Sequence, residues 1–241
     1  MEPLNTHIRK QGASGSLTRS LIERLAAAAG LLVCSPVLLA AGACIVLESG
    51  WPVIFSQERV GQCGSRFRLV KLRSMRTDLS GAGITASGDA RITKAGAFLR
   101  KYKIDELPQL WNILAGQMQW IGPRPEVPAF VNPQDPLWRM TLSEKPGLTD
   151  LSSLVFRNEE EILATYSEPA RAYCEKILPC KLTLSARYLQ KRTFISDCKL
   201  LFLTVKYSFC PAGFHPDRIR SLFVESSNER EFFYSFPSSL S

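Results

Sequence analysis

The run LAAAAGLLVCSPVLLAAGACIVL, residues 25–47, carries no charged side chain over 23 consecutive positions. As a straight helix it would extend about 34 Å, enough to cross the hydrocarbon core of a bilayer. It is a poor signal peptide, because it starts late, exceeds a usual hydrophobic region and ends in a weak cleavage match, Ala-Gly-Ala-Cys. Ser35-Pro36 at its centre opens a second reading. Pro36 removes a backbone donor and clashes with the preceding turn, while Ser35 can bond a carbonyl one turn back. A kinked spanning helix satisfies this pattern, and so does a re-entrant hairpin whose arms each dip about 16 Å. Arg9, Lys10, Arg19 and Arg24 precede the run, and Arg59, Arg66, Arg68, Lys71, Arg73 and Arg76 follow it. Basic residues on both flanks leave the positive-inside rule without a winner, as expected if both flanks are cytoplasmic.

Around this run the chain divides into four parts. Residues 1–17 read as a loose polar tail. Residues 18–50 form the membrane helix, with Thr18 as a candidate N-cap and Trp51-Pro52 as its end. Residues 51–210 form a cytoplasmic domain, and 211–241 a polar, aromatic tail without an assigned role. Within the domain, 53–55 and 67–72 read as short strands around Gly61 and Gly64. Residues 77–90 read as a surface loop. Helices are expected at 90–100 and 106–114, the second stopped by Gly116. The prolines at 123, 125, 128, 133 and 136 imply little regular structure. An amphipathic helix over 158–192, interrupted near Pro169 and Pro179, and a further helix over 196–208 complete the pattern. The expected fold is α+β, mainly helical, with a small β element.

The formal charge of +8 over 241 residues favours anionic partners: nucleic acid, phosphorylated metabolites or anionic headgroups. The aromatics are not interleaved with the basic stretches as a stacking platform requires, so nucleic acid is not an expected partner. A basic, membrane-associated scaffold without catalysis, or a nucleic-acid-binding protein, remains the alternative reading. Seven cysteines without a CxxC pair argue against a disulfide framework and a zinc site. The two histidines, His7 and His215, sit in flanking segments, so catalysis would rest on carboxylates, Lys or Arg.

The stretch DELPQLWNILAGQMQWIGPRP, residues 105–125, supplies such groups. Asp105 precedes Glu106-Leu107-Pro108, the pattern of an N-cap with proline in the first turn. That position suits a plain cap. It also suits a phosphate site, where free N–H groups and the helix dipole favour negative charge. A nearby Mg²⁺ would take one or two carboxylates together with phosphate oxygens. Lys71, Arg73 and Arg100 read singly as a solvated basic face and together as converging phosphate donors. Pro123-Arg124-Pro125 is a rigid turn that also pre-organises a guanidinium. Pro146-Gly147-Leu148-Thr149 is either turn chemistry or a backbone approach to a ligand.

Residues 57–76 (QERVGQCGSRFRLVKLRSMR), 91–126 (RITKAGAFLRKYKIDELPQLWNILAGQMQWIGPRPE), 145–149 (KPGLT) and 188–205 (YLQKRTFISDCKLLFLTV) resemble, in colinear order, the bacterial sugar transferase family. These are monotopic phosphoglycosyl transferases that start glycan assembly on polyprenyl phosphate. The resemblance implies that Ser35-Pro36 makes a re-entrant membrane hairpin, that Asp105 is a nucleophile and that Glu106, beside it, is a Mg²⁺ ligand. It also implies that Lys71 and Arg100 face phosphate and that Arg124 lies in a nucleotide-facing corner. The implied partners are a UDP-sugar, polyprenyl phosphate and the bilayer, with a homodimer compatible. The implied place is the bacterial inner membrane, with the catalytic domain on its cytoplasmic face. Near a helix N-terminus and cations, the Asp105 pKa is expected to be depressed. From Asp150 to Asn158 the chain departs from the family pattern, with Asp150 and Ser153 where many relatives carry Gly and Gln.

Overall fold

The computed structural model describes residues 13–77 and 84–223; residues 1–12, 78–83 and 224–241, parts of the tails and loop anticipated above, lie outside the described residues. Helix α1 (Ala13–Ser49) is the spine of the molecule. It is already formed five residues before Thr18, which is therefore interior and not a cap. Gly50, at φ +73°, closes it by giving its N–H to the Val46 carbonyl at 2.9 Å, ahead of Trp51-Pro52. Only glycine adopts that left-handed conformation without strain. The helix runs unbroken through Ser35-Pro36, and Ser35 Oγ donates to the Leu32 carbonyl at 2.7 Å.

One narrow face of α1 is buried. Near its start, Ala27 packs against Phe67, Leu69, Leu110, Ile113 and Met118; farther along, Ala41 and Ile45 pack against Leu72 and Leu99. Gly30 permits the close approach, because a Cβ there would sit 3.2 Å from the Leu110 side chain. The opposite face, including Leu25, Leu32, Val33, Leu39 and Leu47, is exposed. The helix is long and apolar enough to cross a membrane.

Strands β1 (Ile54–Val60) and β2 (Arg66–Leu72) form an antiparallel hairpin in the register Ile54↔Leu72 to Val60↔Arg66. The first strand is longer than the 53–55 expected, since its polar centre, Ser56 to Glu58, hides it from propensity. Helix α2 (Lys94–Lys101) starts later than expected. Thr93 Oγ1 accepts from the Gly96 N–H at 2.9 Å, and Glu48 at the end of α1 accepts from the Lys94 and Ala95 N–H groups at 2.7 and 2.8 Å. Two segments distant in sequence thus share one cap.

A 3₁₀ turn (Ile104–Glu106) leads into α3 (Gln109–Leu114). Asn112 on α3 bonds the edge of β2 through both ends of its amide. It donates to the Arg68 carbonyl at 2.8 Å and accepts from the Val70 N–H at 3.1 Å. After Gly116, at φ +80°, come β3 (Gln119–Ile121), α4 (Pro136–Leu142) and β4 (Gly147–Thr149). Strands β3 and β4 pair in parallel, so the Pro-Gly-Leu-Thr segment is a strand, not a turn. A Cβ on Gly122 or Gly147 would strike the backbone of the other segment, which explains both glycines. Helix α4 escaped notice among the prolines, yet Pro136 occupies its first turn and Asp135 caps it at 2.7 Å.

The remaining helices build the main core: α5 (Leu151–Val155), α6 (Glu159–Ala164), α7 (Pro169–Ala172), α8 (Leu178–Lys191), α9 (Phe194–Phe209) and α10 (Pro216–Phe223). Trp138, Leu154, Leu163, Ile177, Leu184 and Leu200 meet at its centre. Pro179 does not break α8. The chain widens into a π-helical turn, Tyr173–Ile177, just before it, which fits a proline that offers no N–H to the carbonyl one turn back. Thr193 and Ser196 form a reciprocal capping box at the start of α9. None of the seven cysteines, all among the described residues, forms a disulfide.

Asn112→Ala should leave the Val70 N–H and the Arg68 carbonyl without their partner. We expect a loss of about 2–4 kcal/mol, read as a lowered midpoint of chemical unfolding in detergent. An unchanged midpoint would show that the amide does not bind α3 to the sheet.

Candidate active site

Three segments meet at Glu106: β2 through Lys71, the 3₁₀ turn through Asp105 and Glu106, and the corner after β3 through Arg124. Lys71 Nζ lies 2.9 Å from Glu106 Oε1. Arg124 reaches the same oxygen at 2.5 Å and places its other terminal nitrogen 3.3 Å from Oε2. The Lys71, Glu106 and Arg124 side chains keep 20%, 12% and 27% exposure, so the cluster remains open to a ligand. Burial pushes the Glu106 carboxyl up, but Arg124, Lys71 and Lys103 outweigh it and hold it well below the ordinary range. Burial lowers the Lys71 pKa, with Glu106 opposing. Glu106 raises the pKa of Arg124.

Asp105 beside it is 5% exposed, and its Oδ1 has no hydrogen-bond partner among the described residues. It caps no helix: Pro108 is the N-cap of α3, and Asp105 lies in the middle of the 3₁₀ turn. The expected depression of its pKa is therefore corrected to a rise. Burial is the largest cause, with Lys71, Lys103 and Arg100 pulling the other way. Lys103, just upstream, sits at φ +57°, a left-handed conformation unusual for a side-chain-bearing residue. Such local strain recurs at functional sites.

The other anticipated residues divide. Arg100 is near enough to act electrostatically on Asp105, and it is held by Ser74 Oγ at 3.2 Å and by Glu160. Pro123 and Pro125 are buried on either side of Arg124. Arg73 is not brought to the site. The residue is 4% exposed, and its guanidinium donates to the Ser49, Gly50 and Trp51 carbonyls at 2.9, 2.5 and 3.2 Å, closing the end of α1. Asp150 caps α5 through the Ser153 N–H at 2.7 Å and accepts from Ser152 and Ser185. Sequence reading missed Arg157, which donates to the Lys101 carbonyl at 2.9 Å and whose pKa burial lowers, with Glu106 opposing. It also missed Glu126, which holds Arg59 at 3.0 Å. The one available signal was a lone acid directly after the Pro-Arg-Pro corner.

Among the described residues, no group of three or more His, Cys, Asp or Glu side chains converges. Asp105 and Glu106 are the carboxylates at this cluster that could hold a cation. The orphaned Asp105 oxygen gives them spare acceptor capacity. Two carboxylates fit a hard ion such as Mg²⁺, which draws its remaining ligands from phosphate and water.

A doubly paired acid, beside a buried acid with an oxygen left unpartnered among the described residues and with cations around both, suits phosphoryl chemistry. The model of the family "bacterial sugar transferase" matches residues 14–210. The chain belongs to that family. It is similar to a Bacillus subtilis protein provisionally named as an undecaprenyl-phosphate N-acetylgalactosaminyl 1-phosphate transferase, 50% identical over 42% of this chain and 58% of the relative. It is similar to the UDP-N-acetylgalactosamine-undecaprenyl-phosphate N-acetylgalactosaminephosphotransferase of Aeromonas hydrophila, 41% identical over 56% of this chain and 33% of the relative. It also resembles the UDP-glucose:undecaprenyl-phosphate glucose-1-phosphate transferase of Caulobacter vibrioides, 37% identical over 57% of this chain and 54% of the relative. The matches thus span from a third to under three fifths of these relatives.

Arg124→Ala should raise the Glu106 pKa, because its strongest favourable charge is gone while its burial persists. The folded-state pKa of Glu106 lies below its unfolded value. Its stabilising contribution is therefore complete above the unfolded value and is lost as pH falls through the folded one. In the variant that loss should begin at higher pH. A ¹³C-carboxyl NMR titration of Glu106 measures the shift directly, and an unmoved titration would dissolve the clamp.

Proposed function

We propose that this protein transfers a phosphosugar from a UDP-sugar to polyprenyl phosphate at the membrane, giving polyprenyl-diphosphate-sugar and UMP. This is the first membrane step of a glycan assembly. The observation that carries the reading is the buried Asp105 carboxylate, whose Oδ1 has no partner among the described residues, beside a cation-clamped Glu106. The names of the undecaprenyl-phosphate sugar phosphotransferases that the chain resembles support the two substrate classes.

An Asp105 oxygen attacks the β-phosphorus of the UDP-sugar. The bond from that phosphorus to the bridging oxygen breaks, and UMP leaves. The phosphosugar is then held as an aspartyl acyl phosphate. An oxygen of polyprenyl phosphate attacks the same phosphorus, the aspartyl bond breaks, and the Asp105 carboxylate is regenerated. Two displacements replace one difficult step, which predicts ping-pong kinetics. Water exclusion leaves the attacking carboxylate poorly solvated. Lys71, Arg100 and Arg124 offset charge on the diphosphate. Mg²⁺, held by Glu106 with Asp105, would supply further charge neutralisation on the diphosphate and the leaving UMP.

The contacts of α1 support the membrane seat. Near the start of the apolar run, the Glu23 carbonyl accepts from Trp120 Nε1 at 3.1 Å; at its end, Glu48 and Ser49 are bound by α2 and Arg73. One domain thus holds both ends of a run long enough to cross the bilayer. A straight crossing would separate those contacts by about 30 Å of hydrocarbon. That supports a seat in which both ends of the run lie on the cytoplasmic face. The exposed Trp51, Phe55, Phe98, Trp111, Phe202 and Phe209 suit the interface around it.

Incubation with a UDP-sugar and no lipid acceptor should add one phosphosugar to Asp105, seen by mass spectrometry, with release of UMP. Asp105→Asn should abolish both and raise the melting temperature, since it removes a buried, unpaired charge. Full turnover by Asp105→Asn would sink the mechanism. For the seat, cysteines introduced at Leu21 and Trp51 should be labelled from the same face of sealed vesicles. Labelling from opposite faces would defeat it.

A further inference from the structure

The corner that carries Arg124 is fixed by side chains far from it in sequence. Glu126, two residues after Arg124, accepts from Tyr173 Oη at 2.6 Å through Oε2. Its Oε1 accepts from Arg59 at 3.0 Å and from the Val127 N–H at 2.9 Å. Arg59 also donates to the Pro125 carbonyl at 3.3 Å, and the Val60 N–H donates to the Glu126 carbonyl at 2.9 Å. Both residues that follow Arg124 are therefore tied from outside.

Tyr173 is built for this contact. It is 4% exposed and opens the π-helical turn between α7 and α8, a local widening that often marks a functional position. Its ring is wedged between Phe130, 5.5 Å between centroids, and Lys181, 5.3 Å from Nζ to the ring. Lys181 is itself held by Glu159 at 2.6 Å. Burial, then Glu126 and Glu159, raise the phenol pKa, so it stays protonated and remains a donor. A buried ion pair of the Arg59–Glu126 kind contributes little net stability compared with an apolar replacement. Its value here is positional.

We propose that Tyr173 is a positioning residue for the phosphosugar transfer: through Glu126 it fixes the Pro-Arg-Pro corner and so aims Arg124 at Glu106 and the diphosphate. The inference rests on the proposed activity, but its geometric half can be tested without it. A guanidinium displaced by about 1 Å can cost up to ~100-fold in rate. Tyr173 therefore belongs to the rate, not to the affinity for the sugar.

Tyr173→Phe keeps the ring and removes only the donor. Hydrogen exchange read by mass spectrometry should rise in peptides covering 119–127 and stay unchanged in α9. UMP release should fall about 10–100-fold in kcat with little change in KM. In an Arg124→Ala background the same substitution should cost no further activity, although its effect on melting temperature should be the same in both backgrounds. A merely structural tyrosine would produce equal losses of activity in both. Unchanged exchange over 119–127, or equal losses in the two backgrounds, overturns the proposal. If exchange rises but the wild-type protein releases no UMP from any UDP-sugar, the proposed transfer activity fails, and with it the catalytic role of Tyr173. The hold on the corner would then survive alone.

Discussion

The cluster of Lys71, Glu106 and Arg124 is the constraint around which the domain is arranged. Its members come from a hairpin strand, a 3₁₀ turn and a proline-flanked corner, and each needs its own support to reach the others. Asn112 binds α3, and hence the turn before it, to β2. The β3–β4 pairing presses the corner into place through two glycines. Glu126 and Arg59 tie the far side of that corner to β1. Partly exposed charges of this kind add little to stability by themselves, so the scaffold holds the cluster more than the cluster holds the scaffold.

Asp105 is the counterpart. Its neighbour is satisfied twice over, while its own Oδ1 is buried without a partner among the described residues. Adjacent carboxylates with pKa values driven in opposite directions are a recognised way to divide roles within one site. The cations around Glu106 favour its charged form, while burial makes the charged form of Asp105 costly.

The same domain grips α1 at both ends, so the membrane element and the site are one mechanical unit. Trp120, which directly follows the start of β3, bonds the beginning of the apolar run. Arg73, one residue beyond β2, closes its end. Helix and site are thus joined through packed contacts, without a flexible linker between them.

Local sequence determined much of this protein. The apolar run, Gly116 as a helix stop, the Gly61–Gly64 turn and the Asp-Glu and Pro-Arg-Pro motifs were legible, because each depends on side chains a few residues apart. What was misread depended on partners far along the chain. The parallel β3–β4 pair is legible only once Gly122 meets Gly147. Arg73 looked like its basic neighbours until its guanidinium was found among the carbonyls at the end of α1. Asp105 had the sequence of a cap, yet burial raised its pKa and the turn denied it a donor. Residue type and spacing fix which groups are available. Burial and the choice of hydrogen-bond partner are set by long-range packing, and those decide which groups are charged, which are aimed and which are left waiting.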